Sequence, residues 1–312
     1  MFDDAVHLGL YTAALPDIPL DQVATWAAEL GYQSLEVAAW PSWHTGEPTH
    51  LDVATLDPAA ANGWQARLGD LELSLAAVSF YGNNLHADLG TRQKINDHVR
   101  RCVDAAALLG APAVGTFVGR DVTRSISENL QRAPAVLEPL VAHASSAGVR
   151  LMVENCPMSG WHPDGAAGNL AYSPELWDWL EELGLGLVFD PSHLAPLGID
   201  PVQALRPVAH RVVHVQAKDI ETFPARRQRT GFAGPVRDRS GPWDHGWWRY
   251  RVPGRGEVDW RGVIDVLDQA GYTGSVAVEH EDPVWRGDPE RVLSGLRIAH
   301  ETLRPLVGAG RL

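Results

Sequence analysis

The stretch QAGYTGSVAVE (269–279) runs from the end of an amphipathic helix, through a glycine, into an apolar strand. Glycine readily takes the left-handed backbone conformation that ends many helices. The same helix–glycine–strand punctuation recurs as ELGYQSLEV (29–37), LLGAPAVGT (108–116) and SAGVRLMVE (146–154). The pattern indicates a chain built from repeating strand–helix units.

Extending this pattern along the chain predicts eight strands with helices between and after them. The strands are expected at 6–12, 34–39, 73–82, 113–119, 150–155, 185–190, 212–219 and 275–281. The clearest helical patterns lie at 20–31, 92–110, 125–148, 173–184, 259–271 and 287–307. Alternating units form a parallel sheet, and eight of them close into a (β/α)8, or TIM, barrel of about 250 residues. We therefore predict one α/β TIM-barrel domain over residues 1–312. The alternative is an open doubly wound sheet, but no Gly-x-Gly-x-x-Gly follows the first strand.

The residues in excess of about 250 are expected in two long loops that follow the C-terminal ends of strands. They cover 40 to about 57 after strand 2 and 220 to about 258 after strand 7. The C-terminal ends of the strands form the active-site mouth of such a barrel. A loop of this length without regular structure is usually functional, so we interpret 220–258 as an active-site insertion.

The acidic composition limits the partners of the protein. The chain has 26 basic and 39 acidic side chains, and the resulting net charge of −13 opposes binding to a phosphate backbone. Two cysteines are too few for a disulfide framework or a cysteine-rich zinc site. The first residues show no signal-peptide pattern, and no apolar run reaches the roughly 18 residues of a membrane span. We expect a cytoplasmic protein with neither nucleic acid nor membrane as a partner.

Oxygen-bearing side chains end four of the predicted strands. Glu154, Asp190, Gln216 and Glu279 each follow an apolar run. A lone buried carboxylate would be costly there unless it were paired or bound to a metal. Three carboxylates and one carboxamide form an oxygen-rich set that suits one divalent ion, such as Mn, Mg, Co or Zn. For each residue taken singly, the alternative is a helix cap or a pair with an arginine.

Strand 7 carries polar side chains along one face. In RVVHVQAKDI (211–220), the two-residue period puts His214, Gln216 and Lys218 on the same side. We expect His214 to lie deeper, in packing or in contact with a ligand. Lys218 is expected at the rim, against a substrate oxyanion or in a solvated salt bridge. On strand 2, Glu36 faces inward and is expected to reach substrate hydroxyls or an arginine.

Five segments resemble a known family: VENCP, DPSHL, HVQAKD, VPGRGEVDW and GYTGSVAVEHED. They are similar to the xylose-isomerase-like TIM barrels, or sugar phosphate isomerases/epimerases, which also include inosose dehydratase, hydroxypyruvate isomerase and endonuclease IV. The resemblance covers nearly the whole chain. It implies that Gln216 is a metal ligand, since hydroxypyruvate isomerase has His-x-Gln where most members have His-x-His. It also implies that His193 and Arg251 contact the substrate, with Arg249 and Arg255 as alternatives to Arg251.

The resemblance further implies a carbohydrate substrate and proton chemistry. Glu154 and Glu279 are expected to bind the metal and to move a proton on opposite faces of a carbon next to a carbonyl, through an enediolate. Return of the proton to the same carbon gives epimerisation, and delivery to the adjacent carbon gives isomerisation. Expulsion of a β-substituent gives a lyase or dehydratase reaction instead.

The 220–258 insertion is rich in aromatic side chains, namely Trp243, Trp247, Trp248 and Tyr250. Aromatic rings form platforms for the C–H faces of sugars, so Trp248 is expected to contact the substrate. The same cluster is also typical of an interface in a homo-oligomer. The pattern does not decide between these two roles.

Two other functional classes remain open. A nuclease like endonuclease IV would need a three-metal cluster rich in histidine. Strand 3 runs into SFYGNNLH and strand 4 into TFVGRD, and neither has a histidine at the position where the strand itself ends. A non-catalytic sugar-binding barrel would bind its ligand tightly without turnover.

Overall fold

The computed structural model of the protein describes residues 6–44, 47–232, 234–235 and 245–307, and Trp243 lies outside these ranges. The barrel strands are β1 (His7–Tyr11), β2 (Ser34–Ala38), β3 (Ser74–Asn83), β4 (Ala113–Phe117), β5 (Arg150–Glu154), β6 (Gly186–Phe189), β7 (Val212–Ala217) and β10 (Ser275–Val278). They are parallel and close into a barrel in the order β1, β10, β7, β6, β5, β4, β3, β2. The predicted TIM barrel is confirmed.

Helices follow the strands around this barrel. They are α1 (Leu20–Glu29), α2 (Pro58–Asp70), α3 (Leu89–Leu109), α4 (Ile126–Arg132), α5 (Pro134–Ser146), α6 (Pro174–Glu182), α7 (Pro201–Leu205), α8 (Pro224–Thr230), α9 (Trp260–Gln269) and α10 (Pro289–Val307). The junction glycines behave as the sequence predicts: Gly110 and Gly271 follow α3 and α9 with φ of 71° and 73°. Within the described ranges, no helix combines the length and apolar character that crossing a bilayer requires.

The single helix expected over 125–148 is instead two helices. Ser125 and Glu128 form a reciprocal capping box that begins α4. Pro134 then begins α5, because proline has no N–H to donate and is best tolerated in the first turn of a helix.

Two apolar layers support the mouth of the barrel. One lies between the strands and the surrounding helices, and the other is a separate cluster of Ala77, Ala113, Met152 and Val188 on β3, β4, β5 and β6. Glu154 and Asp190 come two residues after Met152 and Val188, so they project from the same faces of their strands. The apolar cluster therefore forms a floor beneath the polar strand ends.

Residues 220–258 contain regular structure that the sequence did not predict. β8 (Asp219–Thr222) and β9 (Trp248–Arg251) form an antiparallel two-stranded sheet, which we call the hairpin, and α8 lies between them. Asp219 accepts hydrogen bonds from the backbone of Gly254 and Val258, both at 3.0 Å, and so fixes the loop that leaves β9. The hairpin therefore follows β7 directly, and Asp219 links its first residue to the loop that leaves its last residue.

Candidate active site at the barrel mouth

Three carboxylates converge where the sequence predicts a metal site. Glu154 ends β5, Asp190 follows β6 and Glu279 follows β10. One oxygen from each lies within 4.8 Å of the others. Glu154 and Asp190 are buried, and the side chain of Glu279 is 13% exposed. Such a group can bind a cation because its oxygens are close enough to share one ion.

Lys218 is buried in the middle of this group, and the expectation that it lies at the rim is wrong. Its Nζ is 2.9 Å from Glu279 Oε2, 2.9 Å from Glu281 Oε2 and 3.3 Å from Asp190 Oδ2. Tyr250 of the hairpin covers the ammonium, with its ring centre 4.5 Å from Nζ. The hairpin thus removes from solvent a residue that the end of β7 alone would leave accessible.

His193 connects one carboxylate to the hairpin. Its Nε2 lies 2.8 Å from Glu154 Oε1, and its Nδ1 lies 2.9 Å from the hydroxyl of Tyr250. Burial lowers the pKa of His193 to about 4, so its ring is neutral at pH 7. A neutral ring carries one N–H, and the Glu154 carboxyl can only accept when it is ionised. With Glu154 ionised, Nε2 donates to Glu154, and Nδ1 accepts from Tyr250.

A second polar group lies inside the barrel, on β2, β3 and β7. Glu36 is fully buried, and its oxygens are bonded by Tyr81 at 2.7 Å, His214 at 2.9 Å and Gln216 at 3.1 Å. Burial opposes the charge of Glu36, but His214 together with the hydroxyls of Tyr81 and Ser79 outweighs burial and lowers the pKa of this carboxyl. The sequence predicts that Glu36 reaches substrate hydroxyls or an arginine, whereas these partners already occupy its oxygens. They do so because His214 and Gln216 face it across the barrel.

The charges of the mouth do not balance within the protein. Burial raises the pKa of Glu154 to about 8 and also raises the pKa values of Asp190 and Glu279 above their ordinary range. Burial opposes the charge of Lys218, but the neighbouring carboxylates, Glu279 foremost, outweigh it and raise the pKa of this ammonium. One ammonium faces four carboxylates, including Glu281. A proton or a cation is therefore favoured at this site.

The donor atoms present fit a divalent ion. Gln216 Oε1 and Asp190 Oδ2 are buried and accept no hydrogen bond from the described residues, although Asp190 Oδ2 lies 3.3 Å from both Lys218 Nζ and His193 Nε2. Buried polar atoms are rarely left without a partner. Carboxylate and amide oxygens are the ligands that Mg²⁺ and Mn²⁺ prefer. Such an ion would satisfy Gln216 Oε1 and would give Asp190 Oδ2 a closer cationic partner than the Lys218 ammonium at 3.3 Å.

The remaining predicted substrate residues lie in or beside the hairpin. Trp248 stacks on His245, with ring centres 3.7 Å apart. Trp247 is only 2% exposed, so its ring is part of the core and offers no open platform for a sugar. The guanidinium of Arg251 is paired with Asp282 at 2.9 Å and Glu221 at 2.7 Å. The charge of Arg251 is thus neutralised by two carboxylates of the protein, and these contacts hold the hairpin.

Two residues of the mouth, Glu281 and Tyr250, were not predicted as site residues from the sequence. Glu281 lies two positions after Glu279, and the period-two argument applied to β7 would have placed both on one face. Tyr250 was assigned only to an aromatic cluster, yet its hydroxyl contacts His193 and its ring covers Lys218. No local signal identifies the role of Tyr250, because it depends on how the hairpin folds back.

Comparisons with known proteins agree with this architecture. The model of the xylose isomerase-like TIM barrel family matches residues 24–302. An uncharacterized Bacillus subtilis protein, YfiH, is 24% identical over 97% of this chain and 99% of its own length. The inosose dehydratase of Clostridium perfringens is 33% identical over 113 residues, which cover about a third (35%) of each chain. The solved structure of an L-ribulose 3-epimerase superposes with a TM-score of 0.69 at 16% identity, over 98% of this chain and 96% of that one. The chain belongs to the xylose isomerase-like TIM barrel family.

Proposed function

We propose that the protein is a metal-dependent isomerase or epimerase of a sugar or sugar derivative, acting by proton transfer at a carbon next to a carbonyl. The observation that carries this proposal is the convergence of Glu154, Asp190 and Glu279, with one oxygen of each within 4.8 Å of the others. An L-ribulose 3-epimerase of similar structure and an inosose dehydratase of similar sequence support the same class of chemistry.

Four side chains would hold the ion, namely Glu154, Asp190, Gln216 and Glu279. A divalent ion bound there polarises the carbonyl of the substrate and so makes the neighbouring C–H more acidic. When all three carboxyls are ionised they carry −3, which a divalent ion would reduce to about −1, and Lys218 offsets one further charge.

The protein supplies two carboxylates for the proton steps. Glu154 and Glu279 stand on β5 and after β10, with β6 and β7 between them in the barrel. One oxygen of each is already fixed, by His193 Nε2 and by Lys218 Nζ respectively. One glutamate takes the proton from the carbon, and the other returns a proton from the opposite face. His193, Lys218 and Trp248 remain our proposed contacts to the substrate, since His193 and Lys218 touch the two glutamates proposed to move the proton. The contacts of His214, Glu36 and Arg251 give no such support.

A dehydratase is the second candidate, and the match to the inosose dehydratases favours it. One glutamate takes the C–H proton, the bond from the β-carbon to its hydroxyl oxygen breaks, and the other glutamic acid protonates the departing hydroxide to give water. Both candidates share the first step, so one experiment tests them together.

Turnover in deuterium oxide provides this test. Wild-type protein loaded with Mn²⁺ is screened against ketoses, inososes and 3-oxo-glycosides, with mass spectrometry for deuterium uptake or loss of water. Glu154→Gln and Glu279→Gln keep an oxygen in place but cannot accept the proton, so each should lower kcat by about 10² to 10⁴. Glu301→Gln makes the same change on the exposed face of α10 and should leave kcat unchanged.

Full turnover in both active-site variants would refute the two-glutamate mechanism. A wild type that binds substrate tightly but neither exchanges deuterium nor releases water would instead indicate a binding protein. Loss of water from a substrate would select the dehydratase over the epimerase.

A further inference from the structure

The network on β2, β3 and β7 fixes the orientation of one amide. Gln216 Nε2 lies 3.1 Å and 3.3 Å from the two oxygens of Glu36 and 3.0 Å from the hydroxyl of Tyr81. That hydroxyl donates its own hydrogen to Glu36 at 2.7 Å, so it can accept from Gln216. A primary amide has two N–H groups on nitrogen and acceptor sites only on oxygen. Both N–H groups of Gln216 are therefore engaged, and Oε1 points away from Glu36.

The reversed amide is disfavoured by the carboxylate. Turning the amide over would place Oε1 against Glu36, and a carboxylate offers no hydrogen to donate. Glu36 and Gln216 are both fully buried, so water cannot relieve the repulsion between these oxygens. An amide opposite a neutral polar group would lack this constraint, because such a group can both donate and accept.

Gln216 lies on a strand that neighbours two of the three carboxylates. β7 stands between β6, which leads into Asp190, and β10, which leads into Glu279. The backbone N–H of Glu279 donates to the carbonyl of Ala217, next to Gln216, at 3.1 Å. Gln216 Oε1 is buried and accepts no hydrogen bond from the described residues. A buried acceptor that has no donor among the described residues, on the strand between those that lead into two carboxylates, is suited to a cation.

We propose that Glu36 is a positioning residue: it holds the amide of Gln216 with Oε1 directed to the three carboxylates, so that the amide can act as a neutral ligand of the divalent ion. This inference rests on the metal site of the proposed function. Glu36 acts through Gln216 and needs no contact with the substrate or the ion.

A double-mutant cycle on Mn²⁺ affinity tests this role without measuring activity. The full chain, freed of metal, is titrated with Mn²⁺ at one pH by calorimetry or by the loss of the free-ion electron paramagnetic resonance signal. Glu36→Gln puts an amide opposite Gln216, which then finds partners in either orientation. We expect Mn²⁺ affinity to fall by about 10- to 100-fold, as it does when an outer partner of a metal ligand is lost. Gln216→Leu should weaken binding as well, and the double variant should bind no more weakly than Gln216→Leu alone.

Each other outcome overturns the inference. Equal Mn²⁺ affinity in wild type and Glu36→Gln, or losses that add in the double variant, would show that Glu36 does not act through Gln216, while the metal site would stand. A wild type that binds no divalent ion would overturn the metal site and the inference together. If circular dichroism shows that Glu36→Gln does not fold, Tyr81→Phe replaces it in the cycle, since it removes the other acceptor of Gln216. A weakening by Tyr81→Phe that disappears in the Gln216→Leu background supports the role, and unchanged affinity refutes it.

Discussion

Among single side chains, Asp190 is the one whose loss should affect the ion most. Its Oδ2 is buried, accepts no hydrogen bond from the described part of the chain and lies 3.3 Å from Lys218 Nζ, whereas its Oδ1 accepts from the backbone of Ser192 at 2.8 Å. We expect wild-type protein to bind about one equivalent of a divalent ion. Losing a residue that only supports a metal ligand lowers metal affinity by up to about 100-fold, and Asp190→Ala, which would remove a ligand itself, should lower it further. Elemental analysis and Mn²⁺ titration measure both quantities.

The control for this variant is Asp200→Ala. Asp200 caps α7 through the backbone of Val202 and Gln203, so its loss also removes a helix-end cap but touches no proposed ligand. Metal-free wild-type protein with full activity would contradict the site. Equal affinity in Asp190→Ala and wild type would remove Asp190 from the ligands.

At the scale of elements, the hairpin depends on Arg251. This guanidinium joins Asp282, which is fully buried, to Glu221 on the neighbouring strand. Arg251→Ala should leave the Asp282 carboxylate short of a donor, at a cost of about 1 to 3 kcal/mol. The barrel strands pair independently of this contact, so we expect local opening rather than global unfolding. Hydrogen exchange over 219–222 and 247–251 should accelerate.

Arg67→Ala is the matched control, because the pair of Arg67 with Asp21 lies on the surface between α1 and α2. It should leave hydrogen exchange in the hairpin unchanged. If exchange in the hairpin were also unchanged in Arg251→Ala, Arg251 would not be the anchor, and its predicted contact with the substrate would gain support.

A histidine on α3 predicts how stability depends on pH. His98 is buried, with Nε2 2.7 Å from the carbonyl of Ala39 and its ring edge-on to Phe80. Burial lowers the pKa of His98, with a smaller contribution from Arg101, while Ala39 and Asp52 oppose the shift. His98 therefore binds a proton near pH 6.5 in the unfolded chain but not in the folded chain. The free energy of unfolding falls as the pH drops below 6.5.

The free energy of unfolding of wild type and His98→Gln, measured by urea denaturation from pH 7.5 to 5.5, should separate this effect. The variant should lose less stability over that range, by at most about 1.4 kcal/mol per pH unit for one proton. Parallel pH profiles for the two proteins would show that His98 is protonated equally in both states.

The helices, strands and mouth differed in how well the sequence predicted them. Local periodicity identified every barrel strand, because most are apolar runs bounded by glycine or polar residues and β7 alternates with a period of two. The hairpin was not predicted because 25 residues, 223–247, separate β8 from β9. The two strands pair through backbone groups, which leave no periodic pattern of side chains in the sequence. The strand ends predicted the carboxylates for the same local reason. The contact of Glu36 with Gln216 spans 180 residues and follows only from closing the barrel.

For the whole molecule, closure of the barrel depends on a narrow point at β1. Ser34 Oγ and Ser275 Oγ, on β2 and β10, lie 2.8 Å apart across Gly9. A Cβ at Gly9 would come within 2.6 Å of Ser34 Oγ and closer still to Ser275 Oγ. Gly9→Ala should therefore break that hydrogen bond or shift the strands and lower global stability by about 1 to 3 kcal/mol.

The same substitution elsewhere should have the opposite sign. Gly63 lies within α2, and a Cβ there would meet nothing within 4 Å. Since alanine is the better helix former, Gly63→Ala should raise stability by up to about 1 kcal/mol. Thermal unfolding of both variants measures the contrast, and an equally stable Gly9→Ala would show that the hydroxyls move aside freely.

The separateness of the hairpin has a consequence for how this fold diversifies. Its two strands pair with each other and, among the described residues, with no strand of the barrel, and they meet at a single base where Asp219 lies opposite Arg251. Insertions, deletions or a transplanted segment between those two residues leave the register of β7 untouched. The segment that covers the candidate site can thus be exchanged without shifting the strands that carry the proposed ligands, at the expense of the contacts of Tyr250 with His193 and Lys218.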